Sequence, residues 1–444
     1  MLNQRQLAES VIARLRGAGY EALLAGGCVR DLLLDRPAKD YDVATSARPE
    51  QVLTLYPRAL TVGAAFGVVI VAEGPIQVEV ATFRADRGYS DGRHPDAVAF
   101  TDAREDALRR DFTINGMFLD PVGGEVIDYV GGRADLKARL IRAIGDPRQR
   151  FTEDHLRMLR AVRFAAELEF DIDPATADAI RELATKVSLV SGERIAAELD
   201  RLLTAPASGR RRGLELTADL GLLAAVLPEV QAMRGVAQSP TVPLPGDLLD
   251  HAIRTVEILR SPGFELALAA LLHDIGKPGT AAVREGRLTF YGHERVGETM
   301  AQAACERLRL STIQARRITW LVRSHMKLMY ADEMREAKIK RLFAEDGFEP
   351  LAELWRADCL ASGGTDAPYE ALMARYRSMA EEEVKPPRFV SGDDLIAMGL
   401  EPGSAFRDIL EEVYDAQLEG RAASKEEALA LARKIVTERC KPKA

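Results

Sequence analysis

Hydrophobic and polar positions alternate like strands near the N-terminus and recur like helices over the rest of the chain. Residues 1–23 open with MLNQRQLAESVIARL, whose apolar positions return every three or four residues and predict an amphipathic helix. EALLAG reads as a first strand, VRDLLLD as a short helix and YDVAT as a second strand. RPEQVLTLY at 48–56 is a helix with Pro49 at its start. ALTVG, FGVVIVAEG and IQVEVATF follow as strands, the last with clear alternation. RADRGYSDGRHPDA, residues 84–97, is polar and Gly/Arg-rich, and predicts a long functional or mobile loop. FTINGMFLD is a short strand, and ADLKARLIRAI a helix that closes the first unit.

From residue 150 the period is helical. RFTEDHLRMLRAVRFAAELEF predicts one strong helix with Thr152 as N-cap and Glu153 and Asp154 in its first turn. Asp154, Arg157, Arg160 and Arg163 fall three apart on it, a stripe read as a cationic row facing a phosphate pocket rather than a solvated face. SGERIAAELDRLL is a helix capped by Ser191 or Gly192. ASGRRRG, residues 207–213, reads as a basic turn, either solvated or touching RNA phosphates. The Pro/Gly-rich stretch 233–248 is the clearest linker. Helices follow to the end, the last of them short, with Ser/Asp caps and Gly stops.

The chemistry concentrates in two places. Gly26 and Gly27 end the first strand, and paired glycines let a backbone approach a phosphate closely. Asp40 and Asp42 sit two apart in a strand and project together. Side-by-side carboxylates repel unless a cation lies between them, and magnesium suits hard oxygen ligands and triphosphates. Glu79 lies among apolar neighbours on a strand, as an edge charge or as a third acid. Arg109, Arg110 and Asp111 adjoin a buried strand and so favour a ligand contact. The second place is C-terminal to the linker, where four of the six histidines, His251, His273, His293 and His325, crowd into 251–325. His273 and Asp274 adjoin at a helix end, and with His251 and Asp358 they can converge on one metal.

Composition narrows the class. The chain has 444 residues, 47% hydrophobic and 29% charged, enough for several cores in a soluble globular protein. No apolar run is long enough to span a membrane and no signal-peptide core opens the chain. Cys28, Cys305, Cys359 and Cys440 form no zinc or disulfide pattern, as expected of a cytoplasmic protein. A net charge of −8 excludes a generic nucleic-acid coat but leaves room for a local basic track.

The motif set resembles the bacterial tRNA nucleotidyltransferase and poly(A) polymerase family, class II of the polymerase-beta-like nucleotidyltransferases, most closely the CCA-adding enzymes with an HD domain. The resemblance covers nearly the whole chain. It implies an α+β head with a small mixed sheet and helices at 1–142, then an all-α remainder: a neck and body at 143–235, an HD domain at 245–365 and a helical tail at 366–444. By resemblance GG-x-VRD (Gly26, Gly27, Val29, Arg30, Asp31) holds the triphosphate, and Asp40 and Asp42 bind two magnesium ions. Glu79 is then the third acid, and Arg110 and Asp111 sense the ribose. Asp154 and Arg157 of ED-x-x-R read the base edge, with Arg160 and Arg163 as further nucleotide contacts. ERIAAEL supports the template helix. The implied partners are tRNA, CTP and ATP, with a homodimer allowed and no membrane.

An Asp/Arg pair can accept C and A, which both offer an amine beside a ring-nitrogen acceptor, and reject U and G. The implied activity is addition or repair of 3′-terminal CCA, with the 84–97 loop helping to switch from C to A. Poly(A) synthesis or A-only addition are the near alternatives, and an HD phosphohydrolase with a degenerate head the distant one. His251, His273, Asp274, His293, His325 and Asp358 resemble the ligands of metal-dependent phosphohydrolases, so a divalent transition metal and a hydrolase activity compete with a scaffold role. Cys28 departs from the small residue common at its position and places a thiol near the phosphates.

Overall fold

The computed structural model describes residues 3–61, 67–88, 97–238, 246–285 and 287–439. The chain divides into two compact units, Met1–Arg234 with Ala304–Leu310, and Gly235–Ala303 with Ser311–Ala444. Among the described residues no helix is long and apolar enough to cross a membrane.

The first unit opens with α1 (Gln4–Gly17), β1 (Ala22–Ala25), α2 (Gly27–Leu33), β2 (Asp42–Thr45) and α3 (Pro49–Leu55). β3 (Leu60–Thr61), β4 (Val68–Glu73), β5 (Ile76–Thr82), β6 (Arg84–Arg87) and β7 (Ala97–Phe100) follow, then α4 (Ala103–Leu108), β8 (Met117–Leu119) and β9 (Val126–Asp128). Seven strands form one mixed sheet in the order β3-β4-β5-β2-β1-β8-β9. β2 and β5 run parallel, with Val43 opposite Val80, while β1 pairs antiparallel with β2, Ala25 opposite Asp42. The alternation in IQVEVAT decides the faces: Val78, Val80 and Thr82 are buried while Gln77 and Glu79 are exposed. α1 packs Leu7, Val11, Ile12 and Leu15 against this sheet.

Three expectations change here. Residues 84–87 and 97–100 are not loop but the antiparallel hairpin β6–β7, with Arg84 opposite Phe100; residues 89–96 lie outside the described residues. FTINGMFLD is a 3-10 turn, Thr113–Asn115, before β8. ADLKARLIRAI is a helix only in α5 (Gly132–Ala138); Arg139 turns left-handed and Leu140–Ile141 forms β10.

The helical part begins with α6 (Pro147–Glu153) and α7 (Leu156–Leu168), so 150–170 is two helices, not one. Asp154 breaks them with extended backbone (φ −147, ψ 107) and its carboxylate accepts the Leu156 N–H, starting the second helix. Asp146, not Thr152, caps α6. β11 (Asp171–Ile172), α8 (Pro174–Leu183) and α9 (Gly192–Leu203) follow, and Ser191 is the N-cap of α9. ASGRRRG is the first half of α10 (Ala207–Asp219), not a turn; α11 (Leu222–Val226) and α12 (Pro228–Gln231) end this stretch.

The second unit is helical apart from the hairpin β12 (Ala282–Arg284) and β13 (Arg287–Thr289). Its helices are α13 (Leu248–Ile258), α14 (Phe264–Leu272), α15 (Lys277–Thr280), α16 (His293–Arg307) and α17 (Thr312–Ser324). α18 (Glu336–Phe343), α19 (Phe348–Ala361), α20 (Ala367–Ser378) and α21 (Glu381–Val384) follow. α22 (Gly392–Ala397), α23 (Ser404–Leu418) and α24 (Lys425–Arg439) close it around Leu395, Ile409 and Val413. Of the linker expected at 233–248, residues 239–245 lie outside the described residues, as do 440–444 of the basic tail.

Candidate functional site

β1 delivers the chain to Gly26, whose φ of +75 only glycine adopts without strain, and which heads α2. A Cβ on Gly26 would stand 3.0 Å from Arg110 Nη1, so the bare backbone lets that guanidinium approach. Arg30, one turn on, is buried beneath the cradle. It donates to Asn115 Oδ1 at 2.8 Å and to Asp31 Oδ1 at 2.8 Å, and its guanidinium carbon lies 5.1 Å from the Phe164 ring centroid. Cys28 is buried and donates to the Ala25 carbonyl. Burial pushes its thiol up to about 11, so it stays protonated and offers no thiolate to the phosphates.

The acids face the cradle. Because Val43 pairs with Val80 in a parallel ladder, Asp42 and Glu79 stand side by side on neighbouring strands. β5 lies between β4 and β2, so Glu79 is on an interior strand and the edge-charge reading fails. Asp40 precedes β2 rather than sitting in it, yet its charge acts on Asp42. Burial, then Glu79, raise the Asp42 carboxyl to about 6; Asp40 adds to this and Arg110 opposes it. A carboxylate held this far up by burial and by two others beside it fits a hard divalent cation, and Asp40, Asp42 and Glu79 are the oxygen donors that could hold one.

The arginines of the RRD segment and of α7 are each already paired. Arg110 donates to Asp106 Oδ2 through Nη2 at 2.9 Å. Asp111 accepts from Arg160 Nε (2.9 Å) and Nη2 (2.6 Å), Asn115 Nδ2 (3.1 Å) and the Phe112 N–H (2.8 Å). Burial would raise this carboxyl, but Arg160 beside it holds it well below the usual carboxylate range. Asp154 pairs with Arg194 at 2.7 Å, and Arg157 with Glu153 at 2.6 Å. Arg157 also donates to the Arg109 carbonyl at 3.4 Å, tying α7 to the RRD segment. Arg163 is buried between Glu198 and Glu167. Each arginine of the expected cationic row is therefore already ion-paired, Arg160 and Arg163 both reaching Glu198, and Arg163 is committed to the packing of α7 against α9. In α10, Arg210 is buried and donates to the Ala205 carbonyl, while Arg211 pairs with Glu215 and Arg212 with Asp171.

The second unit brings all six predicted ligands together. α14 ends at Leu272, so His273 and Asp274 leave the helix and converge, His273 Nε2 lying 3.2 Å from Asp274 Oδ2. His251 Nε2 from α13 is 3.7 Å from Asp274 Oδ2 and 3.0 Å from Asp358 Oδ1. His293 and His325 place their Nε2 atoms 3.5 and 3.8 Å from Asp274 Oδ1 and 3.1 Å from each other. His273, His293 and His325 each turn Nδ1 to a main-chain carbonyl, of Ala270, Phe290 and Val322, which aims Nε2 inward. A Cβ on Gly276 would collide with the His293 carbonyl, so glycine lets the two segments meet.

Two ligand groups share Asp274: His251 and His273 on one side, His293 and His325 on the other. Among the described residues His273 Nε2 and Asp274 Oδ1 are buried without a hydrogen-bond partner, as atoms reserved for an ion would be. Burial would lower His273, but Asp274 and Asp358 carry it up to about 9; burial and the charged His273 push His325 down to about 4. The mixed imidazole and carboxylate set fits a divalent transition metal.

Sequence reading missed several residues that hold these groups. Asn115, last in RRDFTIN, bridges Arg30 and Asp111. Asp106 precedes Arg109 and Arg110 by three and four positions, a helical spacing that could have exposed it. Lys277, three after Asp274, donates to it at 2.6 Å.

Residues 22–142 match the poly A polymerase head domain, 169–233 the probable RNA and SrmB-binding site of polymerase A, and 248–353 the HD domain. The CCA-adding enzyme of Geobacillus stearothermophilus is 44% identical over 218 residues, 49% of this chain and 53% of that protein. That of Streptococcus pyogenes serotype M5 (strain Manfredo) is 44% identical over 207 residues, 46% of this chain and 51% of that protein. The chain thus spans about half the length of the curated relatives it matches. The crystal structure of the Bacillus stearothermophilus CCA-adding enzyme in complex with CTP superposes with a TM-score of 0.75 and 29% identity, covering 99% of each chain. The Thermotoga maritima CCA-adding enzyme complexed with tRNA_CCA shares the fold, with a TM-score of 0.62, 19% identity and 97% and 95% coverage. Head, RNA-binding and HD matches thus follow one another along the chain, in a fold similar over its whole length to that of a CCA-adding enzyme.

Proposed function

We propose that the protein adds or repairs the 3′-terminal CCA of tRNA with CTP and ATP, selecting each nucleotide with its own side chains. The observation that carries this reading is the Asp154–Arg157 pair at the break between α6 and α7, tied to the head through the Arg109 carbonyl. An amine and a ring nitrogen of C or A satisfy a carboxylate and a guanidinium together; U and G leave both unsatisfied. In the resting protein Arg194 and Glu153 occupy these groups, so an incoming base exchanges one set of charge-assisted bonds for another.

Arg30 and Arg110 then hold the triphosphate over Gly26 and Gly27, Asp111 positions the ribose, and Arg160 with Arg163 braces the template helix. The tRNA 3′-hydroxyl attacks the α-phosphate in line, and pyrophosphate leaves toward Arg30. Glu79 takes the hydroxyl proton. Asp40 and Asp42 would hold magnesium, which when bound would supply charge neutralisation at the phosphates. We assign these roles to a head at 1–142 and a neck and body at 143–235, in a cytoplasmic enzyme whose partners are tRNA, CTP and ATP.

The self-contained His/Asp cluster favours a second activity, hydrolysis of phosphate esters by the unit at 245–365, with 366–444 as its helical tail. Mass photometry tests the homodimer. The transfer reading is tested by offering labelled CTP and ATP to tRNA lacking CCA, to tRNA lacking only A, and to unstructured RNA. The expected products are C, C and A in order on the first and A alone on the second. ATP incorporation alone, into unstructured RNA, overturns it in favour of poly(A) synthesis.

A further inference from the structure

Arg110 lies against Gly26, with Nη1 3.0 Å from where a Cβ on that glycine would stand. Its own side chain does not fix that position. An arginine has many rotamers to choose among, and the acid cluster attracts a free guanidinium. Something must hold it short of those acids. The structure supplies three contacts: the Phe118 ring 5.1 Å from the guanidinium carbon, the Asn115 carbonyl at 3.4 Å, and the Asp106 carboxylate.

Asp106 is 1% exposed, in the first turn of α4. Its Oδ2 accepts Arg110 Nε at 3.2 Å and Nη2 at 2.9 Å, a two-pronged grip. Its Oδ1 accepts Arg109 Nε at 2.9 Å and Nη2 at 2.7 Å, and the Arg84 main-chain N–H at 3.3 Å. Arg84 begins β6, and Arg109 Nη1 also reaches Asp86 Oδ2 on the same strand at 3.5 Å. One buried carboxylate thus joins the phosphate-facing arginine, its neighbour and the base of the β6–β7 hairpin. Burial alone would raise this carboxyl; the guanidiniums of Arg110 and Arg109 hold it below its ordinary value, so it remains the anion the grip requires.

We propose that Asp106 is a positioning residue of the nucleotidyl-transfer site, clamping Arg110 beside Gly26 and away from Asp42 and Glu79 while anchoring β6 to the same point. This rests on the transfer reading given above. Without the clamp Arg110 swings onto the acids, where it neutralises the charge that the cation and the triphosphate should meet. The chemical step suffers; reading of the base at Asp154 and Arg157 does not.

The test combines Asp106→Asn, Asp106→Glu, Arg110→Gln and the Asp106→Asn/Arg110→Gln pair, assayed for CTP and ATP addition to tRNA and by hydrogen exchange at β6. Asp106→Asn is expected to lower kcat about thirtyfold, with the C and A preference over U and G unchanged and the KM for tRNA within about twofold. Asp106→Glu recovers most of the rate. In the Arg110→Gln background Asp106→Asn costs less than about threefold, because the residue it acts through is gone. The Arg84 amide exchanges faster in Asp106→Asn in either background. Additive losses in the double variant overturn the clamp, as does an Asp106→Asn loss that lies wholly in the KM for tRNA. Unchanged exchange at Arg84 overturns the anchor. If the wild-type chain adds no nucleotide to any RNA, the transfer reading fails, whereas a fully active wild type with additive variants fails only this proposal.

Discussion

The two acidic clusters of this chain solve the same problem in opposite ways. In the head, Asp40 and Glu79 are exposed and Asp42 is half-buried on the open face of the sheet, with oxygen donors only. In the second unit His251, His273, Asp274, His293 and His325 are all at most 5% exposed, and three imidazoles are pre-aimed by main-chain carbonyls. The head leaves its carboxylates in mutual repulsion and keeps its arginines paired elsewhere, so a cation and a triphosphate complete the site together. The buried cluster already contains its own counter-charges and second shell. The first arrangement suits an ion that arrives with each substrate, the second an ion that stays.

Substitutions separate the two. The largest effect is expected from Asp42→Ala, which should reduce nucleotide addition at least about a thousandfold while leaving untouched the phosphate-ester hydrolysis proposed for the second unit. His273→Ala should do the reverse. Loss of both activities in either variant would break the comparison. Next, Asp154→Ala or Arg157→Ala should relax base choice about ten- to a hundredfold, read as UTP or GTP incorporation against CTP, with a smaller loss of stability. Unaltered base choice would remove the template role.

A third test uses pH without metal. Asp42 sits near 6 in the folded chain against an ordinary 3.8, so the folded state holds the extra proton between about pH 4 and 6. Stability therefore falls as pH rises through that window, and the full cost is present above it. Asp42→Asn should stabilise the chelated protein at pH 7 by on the order of 2 kcal/mol, and not at all at pH 3.5. An equal effect at both pH values would deny the burial and acid repulsion that raise Asp42. The smallest effect is expected on α10: Arg211→Gln, which breaks an exposed pair with Glu215, should change the KM for tRNA by less than about twofold.

The alternation of IQVEVAT and the DYDVAT stretch made the acid-bearing face legible, because one face of a strand must be buried and the other is then free for chemistry. The His273–Asp274 pair was legible as the end of an apolar helix. The break at Asp154 was not, since the apolar period continues through Leu156 and Leu159 and conceals a carboxylate that ends one helix and starts another. ASGRRRG misled for a different reason. Gly209 and Gly213 suggest a turn, but in α10 they allow close packing, Gly213 against Ala166 and Leu202, which no local pattern records. The polar hairpin strand β6 carries no alternation because ion pairs, Arg84 with Asp86 and Asp86 with Arg109, hold it in place of apolar burial. The clamps at Asp106 and Asn115 depend on partners brought together by folding.

The most direct measurement is the tightly bound metal content of the chain after prolonged dialysis against magnesium, determined by elemental analysis for wild type, Asp42→Ala and His273→Ala. The account predicts the same retained transition metal in wild type and Asp42→Ala and its loss from His273→Ala, with magnesium exchanging freely in all three. Retention that depends on Asp42, or that survives in His273→Ala unchanged, would contradict it.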